Sequence, residues 1–333
     1  MTRAAVMGSG SWGTAFGQVL ADAGTGVVLW GQDEKLAEAI SRQHENPTYH
    51  PGHELPPTMW ATTSVELALN DADLVVLAIP AQVLRDNLVQ WRDLVPSKAV
   101  LVSLMKGIEL GTTKRMSEVI KEVLEVDDRR IAVVSGPNLA HEVMQRQPSA
   151  TVVASPDADT AELLQQACST PYFRPYTNSD VVGVELGGAV KNVIALANGM
   201  AAGLGFGENT QASLITRGLA EMLRLGTALG ASPVTFSGLA GIGDLIATCT
   251  SPLSRNRTFG ENLGRGMSVD EVVAVTKQTA EGVKSCQPIY QLAQVHGVDM
   301  PIAEQVVNVV HHGTPPRDIM GNLMGRETKP EGR

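Results

Sequence analysis

At 333 residues the chain is too long for one ordinary core, and two domains are the natural expectation. With 43% hydrophobic and 18% charged residues it reads as a compact soluble protein, and its formal net charge of −9 argues against nonspecific binding to nucleic acid or an anionic membrane. An anionic substrate would need a local basic site against that background. The three cysteines, Cys168, Cys249 and Cys286, have no paired spacing, which argues against disulfide stapling and against zinc. A strand pattern begins almost at the N-terminus, leaving no room for a signal peptide, so a cytoplasmic enzyme is expected.

The first apolar run, residues 4–7, ends in Gly8-Ser9-Gly10-Ser11-Trp12-Gly13, and a helical pattern follows over 14–23. Strand, glycine-rich turn, helix is the context in which G-x-G-x-x-G binds a dinucleotide. Gly8 permits the tight turn, Gly10 lets the backbone approach a pyrophosphate, and Gly13 lets helix and strand pack closely. The pyrophosphate then faces the free N–H groups and the positive end of the helix dipole. A second apolar run at 27–30 follows, with Asp33 twenty residues beyond Gly13.

Further strands are expected at 74–79, 99–103, 131–135, 150–154 and 172–176, with helical segments between them, among them 82–94 and 112–124. The strands are continuous apolar runs, as when helices cover both faces, so the pattern predicts a doubly wound parallel sheet. Ligands bind such sheets beyond the carboxyl ends of the strands. There the chain places the glycine turn, Gly31-Gln32-Asp33, Ile79-Pro80, Met105-Lys106-Gly107 and Gly136-Pro137-Asn138. Lys106 puts a cation at the mouth of the sheet, and Gly136-Pro137-Asn138 opens a helix whose N–H groups suit an anion.

After about Asn178 strand-like runs disappear, which predicts a Rossmann-type domain over 1–178 and an all-helical substrate domain over 179–333. Helical patterns cover 181–202, 211–229, 269–275 and 287–296, and the tail 325–333 is polar. The segment 181–202 has only Glu185 and Lys191 as charges, but its small residues and missing aromatic belt favour a buried central helix over a membrane span.

Lys191 is the first candidate for chemistry. Its helical face carries Gly187, Gly188, Ala195 and Asn198, a strip of small residues that could leave room for a ligand. A lysine desolvated there has a lowered pKa and can exchange a proton near neutrality. The competing reading is a lysine that snorkels to solvent or pairs with a carboxylate. Asp244, in Gly241-Ile242-Gly243-Asp244-Leu245, is suited to orienting Lys191 or a substrate hydroxyl, or to capping the following helix. Ser254-Arg255-Asn256-Arg257 at a helix start suits a phosphate, or is a solvated basic turn. No G-x-x-x-x-G-K-[ST] occurs, so the cradle of ATP-type phosphate transfer is missing. His44, His50 and His53 are scattered through a Pro-rich loop, His311-His312 has no ligand partner at helical spacing, and no metal site is expected.

These blocks, taken in order, resemble the bacterial NAD(P)-dependent glycerol-3-phosphate dehydrogenases over nearly the full length. The match includes residues 8–15, Ser103-Leu104-Met105-Lys106-Gly107-Ile108-Glu109 and Ser135-Gly136-Pro137-Asn138-Leu139-Ala140. It continues through Glu185-Leu186-Gly187-Gly188-Ala189-Val190-Lys191-Asn192, the Gly241–Leu245 block and Ser254-Arg255-Asn256-Arg257. The resemblance implies reversible hydride transfer between NAD(P)H and dihydroxyacetone phosphate, giving sn-glycerol 3-phosphate for phospholipid synthesis. It implies Lys191 as proton donor and acceptor, with Asp244 beside it. It implies cofactor contacts at Ser11, Trp12, Gln32, Tyr49, Lys106, Ala140, Arg255, Thr279 and Glu281. Substrate contacts are implied at Lys106, Gly136, Asn138, Lys191, Asp244, Ser254, Arg255 and Asn256, and a homodimer is implied as the assembly. Many members carry a basic residue where this chain has Gln32, so the choice between NAD and NADP stays open. Two rivals remain at this level: a hydroxyacid or 6-phosphogluconate dehydrogenase of similar layout, and a nicotinamide-sensing binding protein without turnover.

Overall fold

In a computed structural model the chain is described over residues 2–276 and 280–325. Thr279 and the tail beyond Gly325 lie outside the described residues. Among the described residues ten strands occur in chain order: β1 (Arg3–Met7), β2 (Gly26–Trp30), β3 (Glu45–Asn46), β4 (His50–Glu54), β5 (Met59–Thr62), β6 (Leu74–Leu77), β7 (Val100–Ser103), β8 (Ile131–Ser135), β9 (Ser149–Ala154) and β10 (Phe173–Asn178). Eight of them form one sheet in the order β10-β9-β8-β7-β6-β1-β2-β5, and β3 and β4 pair as a separate hairpin. The strand order reverses between β1 and β6, so the carboxyl ends of these two strands border the crevice where a doubly wound sheet takes its ligand.

The Rossmann-type core is as expected, with two differences. β9 runs antiparallel to β8, and β10 is parallel to β9, so the last two strands oppose the rest. The reason is the connection. Between β8 and β9 the only helix is Ala140–Met144, five residues that rise roughly 8 Å, too short to recross a strand roughly 17 Å long. The second difference is the β3–β4 hairpin, in the histidine-bearing stretch read above as a loop, together with β5, which the apolar pattern does not predict. β5 is a half-buried edge strand of four residues in which burial alternates, so it never makes a continuous apolar run.

The sheet is packed on both faces. Phe16, Val19, Leu29, Val76 and Phe173 belong to the core on one side, and Met7, Trp30, Leu77, Leu84 and Trp91 to that on the other. Residues 179–325, as far as they are described, carry no strand. Their centre is the helix Val181–Gly203, long and apolar enough to cross a membrane but with 89% of its most apolar stretch buried inside the protein. Val184 on this helix packs with Val133, Val152, Ala154 and Ala240, which seals the helical part onto β8 and β9 of the sheet.

Around the central helix the packing is backbone to backbone. A Cβ on Gly199 would lie 2.1 Å from the Arg257 carbonyl oxygen, and one on Gly260 would lie 2.1 Å from that of Leu196. Only glycine allows helix Arg255–Gly264 this close, and the closeness carries Asn256 against Asn192 of the central helix. Gly260→Ala should therefore cost about 1–3 kcal/mol through overpacking. Urea unfolding of the variant beside wild type checks this, and an unchanged midpoint would show that the helices can separate freely.

Candidate active site

The crevice beyond β1 and β6 is one cleft of about 950 Å³, the size of a site for a large small molecule. One wall is the glycine turn. Gly8 has φ +136°, a conformation L side chains rarely adopt, and a Cβ there would press to 2.4 Å from the Ala78 carbonyl oxygen. A Cβ on Gly13 would lie 2.1 Å from the Gly8 oxygen, whereas nothing lies within 4 Å of one on Gly10. Gly8 and Gly13 thus serve packing, and Gly10 leaves its backbone open to the cleft, which fits a pyrophosphate. Asn46, fully buried in β3, braces the turn by donating to Ser9 O at 3.0 Å and Thr14 Oγ1 at 2.8 Å. Asn46 escaped the sequence reading because the hairpin that carries it did.

Gly8, Gly10, Ser11, Trp12, Gln32, Tyr49, Lys106, Asn138, Ala140, Lys191, Ser254, Arg255, Asn256 and Glu281 all line this cleft. Gly13, Gly136 and Asp244 lie behind its surface. Of the two arginines, Arg255 lines the cleft, whereas Arg257 turns to Glu261 at 3.5 Å. Ser254 caps its helix, accepting from the Arg257 N–H at 3.3 Å. Glu281 opens helix Glu281–Val295, and burial raises its carboxyl pKa against the opposing pull of Lys284 and Arg255.

At the floor, one carboxylate stands between two ammonium groups. Asp244, 2% exposed, accepts from Lys106 Nζ at 2.5 Å on one oxygen and lies 3.0 Å from Lys191 Nζ on the other. Lys106 also donates to the Gly136 carbonyl at 3.1 Å. Lys191, 6% exposed, donates to Thr248 Oγ1 at 2.6 Å, and Thr248 in turn donates to Asp244 at 3.2 Å. Burial pulls the Lys191 pKa down to about 8; the Lys106 charge adds to this and Asp244 opposes it. For Asp244 burial alone would raise the pKa, but the two lysines outweigh it and hold the carboxyl below its usual range. Both alternatives for Lys191 therefore meet in one residue: it pairs with a carboxylate and still reaches the cleft.

The small-residue strip beside Lys191 has a different use from the one expected. A Cβ on Gly187 would lie 2.3 Å from the Ala240 carbonyl oxygen, and one on Gly188 would lie 2.8 Å from Ser135 Oγ. That space is filled by neighbouring elements, and Lys191 shares the cleft wall with Asn192, Thr248 and Asn256. Asn192 donates to the Lys106 carbonyl at 3.3 Å and accepts from Asn256 at 2.9 Å. Thr248 and Asn192 were missed; the i,i+4 spacing of Asp244 and Thr248 on one helix was the available signal for the first. Asn138 donates to Thr151 at 2.9 Å and keeps a buried Oδ1 without a partner. His50, His53 and His141 stack edge to face near the turn, and among the described residues no group of His, Cys, Asp or Glu is arranged to hold a metal ion.

A glycine-turn sheet joined to a helical partner, with a cleft between them, defines the two-part Rossmann dehydrogenase class. The family profile described as NAD-dependent glycerol-3-phosphate dehydrogenase N-terminus matches residues 3–161, and its C-terminal counterpart matches residues 180–321. A glycerol-3-phosphate dehydrogenase (NAD(P)+) of Thermobifida fusca is 62% identical over 332 residues, covering 99% of both chains. One of Streptomyces coelicolor is 62% identical over 331 residues, covering 99% of this chain and 98% of the other. The crystal structure of glycerol-3-phosphate dehydrogenase from Coxiella burnetii, 35% identical, superposes with a TM-score of 0.93 over 98% of this chain and 99% of that one. The chain belongs to the NAD-dependent glycerol-3-phosphate dehydrogenase family.

Removing the shared carboxylate leaves the buried Lys191 ammonium and the part-buried Lys106 ammonium without their counter-charge. Asp244→Asn should cost about 3 kcal/mol in folding stability near neutral pH, and the Lys191 pKa should fall further. Denaturant unfolding together with the pH dependence of lysine acylation measures both; a variant as stable as wild type would show that Asp244 does not offset the lysine charges.

Proposed function

We propose that the cleft carries out reversible hydride transfer between NAD(P)H and dihydroxyacetone phosphate, yielding sn-glycerol 3-phosphate for glycerophospholipid synthesis. The observation that carries this reading is the convergence of an open glycine turn from the sheet and a buried lysine of lowered pKa from the helical part on one cleft. The names of the full-length relatives point to the same reaction.

The glycine turn, with Ser11, Trp12, Gln32, Tyr49, Lys106, Ala140, Arg255 and Glu281, would hold the dinucleotide; Thr279, outside the described residues, belongs to the same proposed set. When bound, the reduced nicotinamide supplies the hydride. As the carbonyl carbon accepts that hydride, negative charge grows on its oxygen. The Lys191 ammonium stabilises this charge and passes its proton to the oxygen, becoming a neutral amine. In the reverse direction the amine takes the hydroxyl proton back. A pKa of about 8 serves both directions near neutrality. Asp244 and Thr248 orient Nζ, and Lys106, Gly136 and Asn138 close the floor around the substrate. Ser254, Arg255 and Asn256 hold the phosphate and so fix the carbonyl in place. The division of labour between 1–178 and 179–333, a homodimeric assembly and a cytoplasmic setting complete the proposal.

Two measurements test it. Lys191→Met should lower turnover by about 10²–10⁴-fold while NAD(P)H still quenches the fluorescence of Trp12, which lines the cleft. Near-normal turnover would remove the role. In wild type, the reduction needs the ammonium, so its kcat/KM should fall as pH rises through about 8, while that for glycerol 3-phosphate oxidation should rise through the same pH. Parallel profiles in the two directions would contradict a single acid/base group.

A further inference from the structure

Lys106 enters the cleft from the loop 104–115, which joins β7 to helix Met116–Leu124. A lysine stem is long and flexible, so its ammonium is only as well placed as the backbone that carries it. Before Lys106 the chain is still tied to the sheet, with the Leu104 N–H donating to the Leu77 carbonyl at 3.0 Å. After it, Gly107 passes so close to the stretch beyond β6 that a Cβ there would lie 2.7 Å from that of Ala81. Side chains from this same stretch then grip the loop. Gln82 donates to the Ile108 carbonyl at 2.8 Å and accepts from the Leu110 N–H at 2.9 Å, satisfying two backbone groups as a neighbouring strand would.

Glu109, between those two residues, points back to the helix that carries Arg85. Its two oxygens accept from Arg85 Nε and Nη2 at 2.9 Å each, and Thr112 donates to one of them. A two-pronged pair of this kind fixes direction as well as distance. Glu109 is 8% exposed. Burial alone would raise its carboxyl pKa, but Arg85 and Thr112 outweigh burial and the nearby Glu122 charge and hold it below its usual range. Arg85 also donates to Glu122 at 3.1 Å, and Glu122 pairs with Lys114 near the far end of the loop. Gln82, Arg85 and Glu109 do not line the cleft. Their route to it runs through the backbone of Gly107 and Lys106.

Resting on the dehydrogenase reading above, we propose that Gln82, Arg85 and Glu109 are positioning residues for the reaction: they hold the loop in the one register that seats the Lys106 ammonium on Asp244. Burial lowers the Lys191 pKa and the Lys106 charge adds to this, while Asp244 and Cys249 oppose it. A loosened loop takes the Lys106 charge away and leaves Asp244 to Lys191, so the Lys191 pKa should rise. The direct effect of Glu109→Gln is opposite in sign, because losing a carboxylate disfavours an ammonium. Gln82→Leu changes no charge at all. In both variants kcat for dihydroxyacetone phosphate reduction should fall about ten- to hundredfold. The pH at which kcat/KM declines should move about one pH unit above that of wild type. Arg85→Lys keeps the charge but not the fork, and should show a smaller shift in the same direction; it carries the test with Gln82→Leu if Glu109→Gln does not fold. A merely structural network would cost thermal stability and leave the midpoint in place. Midpoints unmoved or lowered in the folded variants would overturn the proposal, as would wild-type turnover. If wild type does not reduce dihydroxyacetone phosphate, the reaction assigned above fails; NMR titration of Lys191 in the same variants then decides the positioning role alone, with the same upward shift expected.

Discussion

Everything in the cleft depends on one buried carboxylate shared by two lysines. A lone ammonium at the depth of Lys191 would lose its proton more readily still, because burial disfavours the charged form. A lone ion pair at that depth would hold the proton too tightly to exchange it. Asp244 between Lys106 and Lys191 leaves the cluster one positive charge in excess when all three are ionised. Burial and the Lys106 charge lower the Lys191 pKa, Asp244 opposes them, and the balance brings it to about 8.

The cluster in turn constrains the fold. Lys106 comes from the sheet, beyond β7, while Lys191 and Asp244 come from two helices of the other part. The three can meet only if the central helix is held against the sheet in one register. The apolar seal at Val184 supplies area, and Glu185 supplies direction. It is 4% exposed and bonds Arg115 at 2.6 Å and the Ser117 N–H at 2.8 Å, at the start of helix Met116–Leu124. Gly187 and Gly188 then let the next turn of the helix approach Ala240 and Ser135. Interactions that look structural therefore fix where a proton can be exchanged.

Much of this was legible from residue order, because the signals are local. The positive φ of Gly8 and the approach of Gly13 to the Gly8 oxygen are set within a few residues, and a lysine isolated in an apolar helix announces a buried charge. What escaped has a longer range. Whether the strip at Gly187 and Gly188 leaves a void or admits a neighbour depends on Ala240, far away in the chain. Thr248 and Asn192 are ordinary polar residues until the fold sets them between charged groups. β5 is too short and too exposed to make an apolar run, and the reversal at β9 follows from a five-residue helix that composition does not flag. Long-range contacts carry no periodicity, and periodicity is what a single chain exposes to inspection.

The central claim is that burial and a shared counter-charge make Lys191 a proton carrier near neutral pH. Its most direct test is the titration of that side chain itself, followed by NMR on protein labelled at the lysine ε-carbons, with Lys191→Met used to assign the resonance. The account predicts a midpoint at about 8 for Lys191. A midpoint at the ordinary lysine value of about 10.4 would contradict it.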